Sequence, residues 1–217
     1  MRKGDAMKLK QLKIILEKEV PDFTKPKDFL EQYRTPPEIL LAMINYMMPY
    51  ILSEKKEAVL VDLGSGTGMI AYGFSLAAMT YSIGIEIDEE AIQAAVKTKL
   101  WRQLPNIDFV QANALAPPLR KADYGAQNPP FGTRRAMIDR LFLLSLTKLR
   151  PKIIASVHSC NNKLVSILSK ELTNRGYKVV TVECKKILIR QRMKHHTREA
   201  YYTRASILIA INKRSFK

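Results

Sequence analysis

An α/β domain with a doubly wound, mostly parallel sheet is the architecture this sequence predicts, and three features predict it. Short apolar runs alternate with segments of helical periodicity along most of the 217 residues. The run Ala58 to Leu63 is apolar apart from Asp62, as in strands buried on both faces. The last two runs, Val179 to Glu183 and Ala205 to Asn212, have no helix between them, which predicts a closing antiparallel hairpin with a long connection.

Taken in order, residues 6 to 19 place Leu9, Leu12, Ile15 and Leu16 at helical spacing among lysines, an amphipathic basic helix that Pro21 ends. Residues 20 to 35 read as a loop anchored by Phe23, Phe29, Leu30 and Tyr33. Thr35 is placed to cap a helix that Pro36 and Pro37 open and that runs to about Leu52. Residues 1–35 are therefore expected to form a helical and loop extension, and 36–217 the main domain. After the Ala58 run come a helix over about 69 to 79 and a strand from Tyr81 to Ile85, ending in Glu86. One helix is expected from near Asp88 through Trp101, with acids in its first turn and lysines in its last, matching the helix dipole. Strands follow at Ile107 to Gln111, Ala122 to Ala126 and Ile153 to Val157. Helices follow at about Ala136 to Leu149 and 161 to 174, the latter stopped by Gly176.

The charge is lopsided. Lys plus Arg number 36 against 20 acids, a net +16, which points to a polyanion partner, with nucleic acid first. No apolar run approaches the roughly 20 residues of a membrane span, and the basic N-terminus lacks the apolar core of a signal peptide. Cys160 and Cys184 form no CxxC pair. They suggest neither a zinc site nor a disulfide framework, so a reducing intracellular home is expected.

The stretch Gln127-Asn128-Pro129-Pro130-Phe131-Gly132-Thr133 must turn, because two prolines continue neither a ladder nor a helix interior. Proline also keeps Asn128 extended. The corner offers a carboxamide oxygen, the Pro129 carbonyl and the Phe131 ring. Two acceptors and an aromatic face suit a planar exocyclic amine, whose protons they hold while the ring stacks on its base.

Upstream, Asp62-Leu63-Gly64-Ser65-Gly66-Thr67-Gly68 follows a buried strand and precedes a helix starting near Met69. Glycines at 64, 66 and 68 let backbone approach a ligand. Glu86, ending the next strand, is placed to accept both hydroxyls of a ribose. The spacing is not GxGxxG, and no Lys follows the last glycine, so neither a dinucleotide nor a Walker loop fits. GxGxG after Asp62 fits S-adenosylmethionine better, with Asp62 serving its ammonium directly or by orienting the loop. Asn113, next to Ala114 at the end of the third strand, can pair with the adenine edge.

Together DLGSGTG, GIEID and NPPFGT, with EQYRT upstream, resemble the methyltransferase-like 5 family of ribosomal RNA adenine-N6 methyltransferases, from about Phe23 to Ser159. The resemblance implies a Rossmann-like class I methyltransferase fold of seven strands, the last antiparallel, with S-adenosylmethionine as cofactor. Asn128, Pro129, Pro130 and Phe131 would form the catalytic corner, acting on an adenosine of small-subunit ribosomal RNA in the cytoplasm. Gln32 and Thr35 would reach over the cofactor's amino-acid end beside Gly64, Thr67 and Met69; Glu86 would take the ribose. Asn113 stands where the family carries Asp. The family also implies a small zinc-binding activator subunit on an apolar edge, for which Ala77 to Tyr81 is a candidate.

The segment Lys185 to Arg198 carries six basic residues, Lys185, Lys186, Arg190, Arg192, Lys194 and Arg198, and no acid. With Tyr201 and Tyr202 beyond it, phosphate contact plus stacking on single-stranded RNA is expected. His195 and His196 are adjacent and lack acidic or cysteine partners in a metal-binding pattern, so no metal site is expected. Trp101 reads as core and His158 as packing or polar rim. Guanine-N2 methylation, protein glutamine methylation and an inactive RNA-binding module share parts of this pattern.

Overall fold

A computed structural model describes residues 8–53, 57–78, 80–131, 137–190 and 200–215. Seven strands make one sheet in the order β3-β2-β1-β4-β5-β7-β6. They are β1 (Val59–Leu63), β2 (Tyr81–Glu86), β3 (Ile107–Gln111), β4 (Tyr124–Gln127), β5 (Ile153–Ser159), β6 (Tyr177–Arg190) and β7 (Ala200–Asn212). Pairs among β1 to β5 are parallel, and β7 runs antiparallel to both β5 and β6. This is the Rossmann-like arrangement with one reversed strand.

Helices cover both faces. On one side lie α1 (Leu9–Glu19), α2 (Pro37–Leu52) and α3 (Met69–Ala78), packed on Leu60, Tyr124, Ala155 and Ile207. On the other lie α6 (Ile138–Lys148) and α7 (Asn162–Asn174), packed on Val61, Ile154, Leu208 and Ala210. Neighbouring strand residues thus feed opposite cores, as the two-residue period requires. Leu12 and Leu16 of α1 are fully buried in the first core, so the N-terminal helix shares the main domain's interior.

Several expectations need correction. The helix expected from Asp88 to Trp101 is two, α4 (Glu89–Val96) and α5 (Lys99–Gln103). Thr98 breaks it: its hydroxyl caps α5 by accepting from the Trp101 N–H at 3.1 Å and also meets the Tyr72 hydroxyl. Thr35 does not cap α2, whose N-cap is Pro36 with no side-chain bond. Its hydroxyl is engaged elsewhere. The hairpin is far longer than Val179 to Glu183 predicts: Lys185 to Arg190 belong to β6, paired with 200–205 of β7. Lysines hide the strand's alternation, yet Ile187 is buried and Leu188 is exposed. Ala77, Ala78 and Thr80 are buried and Tyr81 begins an inner strand, so that run is no exposed edge. Trp101 is half-buried against Phe109 rather than deep core.

Cys160 and Cys184, expected to stay apart, are joined in a disulfide with Cα atoms 6.0 Å apart. They lie 24 residues apart in sequence, and the bridge passes across β7, which separates β5 from β6. Spacing along the chain carries no sign of a contact made through a third strand.

Candidate active site

Strand order reverses between β1 and β4, and ligands of open parallel sheets gather beyond the carboxyl ends at such a point. Leu63 pairs with Ile85 on one side and with Gln127 on the other. The glycine loop, Glu86 and Asn128 therefore leave three adjacent strands at one level, and all three border one cleft.

The loop is tightly built. Gly66 has φ +54°, and a β-carbon there would come within 2.7 Å of the Phe23 ring. The N–H groups of Gly64 and Ser65 donate to the Ile85 carbonyl, that of Gly66 to Glu86 Oε2, and that of Gly68 to Ser65. These amides face protein acceptors and leave no cradle for a pyrophosphate. Two buried oxygens, Asp62 Oδ1 and Ser65 Oγ, have no hydrogen-bond partner among the described residues.

Glu86 is buried, and its Oε1 accepts from the N–H groups of Ile87 and Asp88. Burial raises its pKa against the pull of three backbone donors. Those donors fill three of about four acceptor sites. Room remains for one strong hydroxyl contact, where the sequence suggests two. Asp62 is fully buried, and burial pushes its pKa up to about 8 although Ala71 N–H donates to Oδ2 at 3.1 Å. It does not border the cleft, and its bond to Ala71 ties β1 to α3.

Asn113 and Ala114 border the cleft, with Asn113 Oδ1 accepting from Leu115 N–H in a local turn. Met69 and Thr67 also border it, but the Thr67 hydroxyl donates to the Pro21 carbonyl at 2.6 Å. Gln32 lies on the Glu86 side: its Nε2 donates to Asp88 Oδ2 at 2.7 Å, next to the Lys27–Asp88 ion pair. Gly68, Pro129 and Phe131 do not line the cleft, whereas Pro130 does.

Asn128 is gripped at both ends of its carboxamide. Tyr33 donates its hydroxyl proton to Oδ1 at 2.9 Å, and Nδ2 donates to the Thr35 hydroxyl at 3.1 Å. The Phe131 ring lies 5.8 Å from that of Tyr33 and packs on the first core. Sequence reasoning treated Tyr33 only as an anchor, and the structure sets it against Asn128. One signal was present: Pro36 holds Thr35 extended, and Tyr33 two residues earlier reaches the same carboxamide. Below Asn128, Gln127 meets Ser156 Oγ at 2.8 Å, and buried His158 joins Ser156 to Asp139. His158 is thus a packing residue with satisfied nitrogens.

A family model for the methyltransferase small domain matches residues 45–181. The Danio rerio rRNA N(6)-adenosine-methyltransferase METTL5 is 32% identical over 161 residues, covering 72% of this chain and 77% of that one. Its Drosophila melanogaster counterpart is 33% identical, covering 72% and 75%. This chain belongs to the methyltransferase-like 5 family. Among solved structures, a candidate RNA methyltransferase from Pyrococcus horikoshii, PH1948, matches with a TM-score of 0.83 and 26% identity over 95% of this chain and 98% of that one.

In this family member the basic stretch is split. Lys185 pairs with Glu183 at 2.6 Å, and Lys186 Nζ lies 4.3 Å from the centre of the Tyr202 ring. Arg190 sits at the end of β6, opposite Ala200. Arg192, Lys194 and Arg198, with His195 and His196, lie outside the described residues. No helix among the described residues is long and apolar enough to cross a membrane.

Proposed function

We propose that this protein methylates N6 of an adenosine in small-subunit ribosomal RNA, with S-adenosylmethionine as donor. One observation carries the reading: the Leu63–Gln127 register sets Asn128 beside the glycine loop. The cleft suits that donor. It offers a buried carboxylate with one acceptor position left, the unpartnered Ser65 hydroxyl at the loop and apolar walls from Ile87, Ala114 and Phe142. Its loop amides are turned away from any phosphate.

S-adenosylmethionine supplies a methyl group on a sulfonium. Glu86 accepts from a ribose hydroxyl; Asn113 and Ala114 border the adenine end; Gly64, Gly66 and Met69 shape the floor. The acceptor amine is a poor nucleophile because its lone pair is delocalised into the ring. Asn128 Oδ1 keeps one lone pair beyond that used by Tyr33. There it accepts one amine proton and meets the positive charge that grows on nitrogen; the Pro129 carbonyl, outside the cleft lining, would turn toward the amine to hold the second. Tyr33 and Thr35 fix the carboxamide before the base arrives, so little reorganisation remains at transfer. Pro130 shapes the rim, while Tyr33, its ring backed by Phe131, offers an aromatic face to a base that has left its stack.

The family resemblance adds two further readings. One is cytoplasmic action on ribosomal RNA. The other is a small zinc-binding activator, for which the outer strand β3 supports a docking edge better than buried Ala77 and Ala78.

The test is incubation with labelled S-adenosylmethionine and small-subunit ribosomal RNA, wild type beside Asn128→Ala. Label on adenine N6, lost in the variant, is the expected result. Label on guanine or on protein overturns the substrate assignment. RNA binding with no label, even with activator added, supports an inactive binding module instead.

A further inference from the structure

A second cavity of ≈ 570 Å³ lies behind the wall that Tyr33, Arg34 and Thr35 form against the methyl-transfer cleft. That volume falls within the roughly 300–1,000 Å³ of small-molecule sites. One side is the hairpin, with Lys186 and Leu188 of β6 and Tyr202 of β7; the other carries Glu17 of α1, Asp22 and Glu38 of α2.

Its chemistry is mixed in a specific way. Tyr202 is 64% exposed, with Lys186 Nζ over one face of its ring, 4.3 Å from the centre, which leaves the other face for a base. Across the cavity are carboxylates: Glu38 and Glu17 both face Lys13, at 2.6 and 3.8 Å. A bare phosphate would meet three acids, and a basic peptide would meet Lys186 and Arg34. A nucleotide satisfies every side. Its base stacks on Tyr202, its phosphate meets Lys186, and an exocyclic amine donates to a carboxylate.

Resting on the reading of RNA as substrate, we propose that this cavity takes the nucleotide adjacent to the target adenosine. Tyr33 borders both spaces and stands between the two bases as a wedge. It replaces the stacking they lose on each other while its hydroxyl holds Asn128. The carboxylates favour cytosine, adenine or guanine over uracil, which lacks an exocyclic amine.

The experiment uses a short single-stranded RNA with one adenosine, carrying an abasic residue on its 5′ or its 3′ side. One of the two abasic RNAs loses about tenfold or more in kcat/KM, the order expected for one stacked base. Tyr202→Ala loses a similar factor on the intact RNA and little more on that abasic RNA; Tyr202→Phe keeps most activity. Lys186→Met gives a second loss at this exposed position, less than additive with Tyr202→Ala because the two side chains touch. Two neutral abasic RNAs, or a Tyr202→Ala penalty that is the same on both substrates, overturn the proposal. Uridine performing as well as cytidine at the neighbouring position overturns the role of the carboxylates. A binding arm works without methyl transfer: 2-aminopurine at the neighbouring position is quenched by wild type and not by Tyr202→Ala. If label appears elsewhere than adenine N6 while quenching holds, the substrate reading falls and the cavity stands. If adenine is methylated without quenching, the cavity alone falls.

Discussion

The Tyr33 hydroxyl donates to Oδ1 of Asn128 across a sequence separation of 95 residues, at 2.9 Å. The segment before α2 thereby sets the orientation of the carboxamide proposed to receive the acceptor amine. Tyr33→Phe removes this bond and keeps the ring against Phe131. One hydrogen bond is worth about 1 kcal/mol net, so kcat is expected to fall roughly five- to tenfold. Donor affinity by calorimetry should hold. A loss in affinity with kcat intact would place Tyr33 in the donor site instead.

Asn128→Ala separates transfer from donor binding more sharply. Transfer should disappear, while S-adenosylmethionine binds nearly as in wild type, because Glu86 and the glycine loop are untouched. Calorimetry beside a labelled-methyl assay reads both, and equal loss of the two would refute this division.

Asp62 predicts a pH dependence of stability. Its native pKa, about 8, lies above the ordinary 3.8. Between those values the folded chain holds a proton that the unfolded chain has released, so stability falls as pH rises through this window. Asp62→Asn mimics the protonated acid. Its melting temperature should exceed that of wild type at pH 8, with the difference shrinking toward pH 4. Parallel curves for the two proteins would show that Asp62 is ionised in the fold.

Charge reversal at Lys185, Lys186, Arg190 and Arg192 should weaken RNA binding and flatten its dependence on salt, since each lost phosphate contact removes about 0.7 from the single-strand slope. Fluorescence anisotropy over a salt series checks this. An unchanged slope would put the RNA surface on another face.

What could be read in the sequence was local. The AVLVDL run, the glycines after it, Glu86 and the double proline each mark their own backbone, and the parallel ladder brings them to one rim without further instruction. What could not be read was long-range. Thr35 has the side chain of a helix cap and serves Asn128 instead, because the latter's Nδ2 lies within reach. Glu86 looks free for two hydroxyls until the amides of Gly66, Ile87 and Asp88 are folded onto it. Lys185 and Lys186 read as a basic loop because charge conceals a strand whose hydrogen bonds come from backbone alone.

The Cys160–Cys184 bridge adds a mechanical rung to the far edge of the sheet. The outer strand β6 is paired with β7 alone, and a slip of one residue would swing Lys186 to the opposite surface, away from Tyr202. With β6 riveted across β7 to Cys160, the residue that follows β5, that sliding is blocked. The hairpin is held in one alignment with the strand next to β4, from which Asn128 emerges.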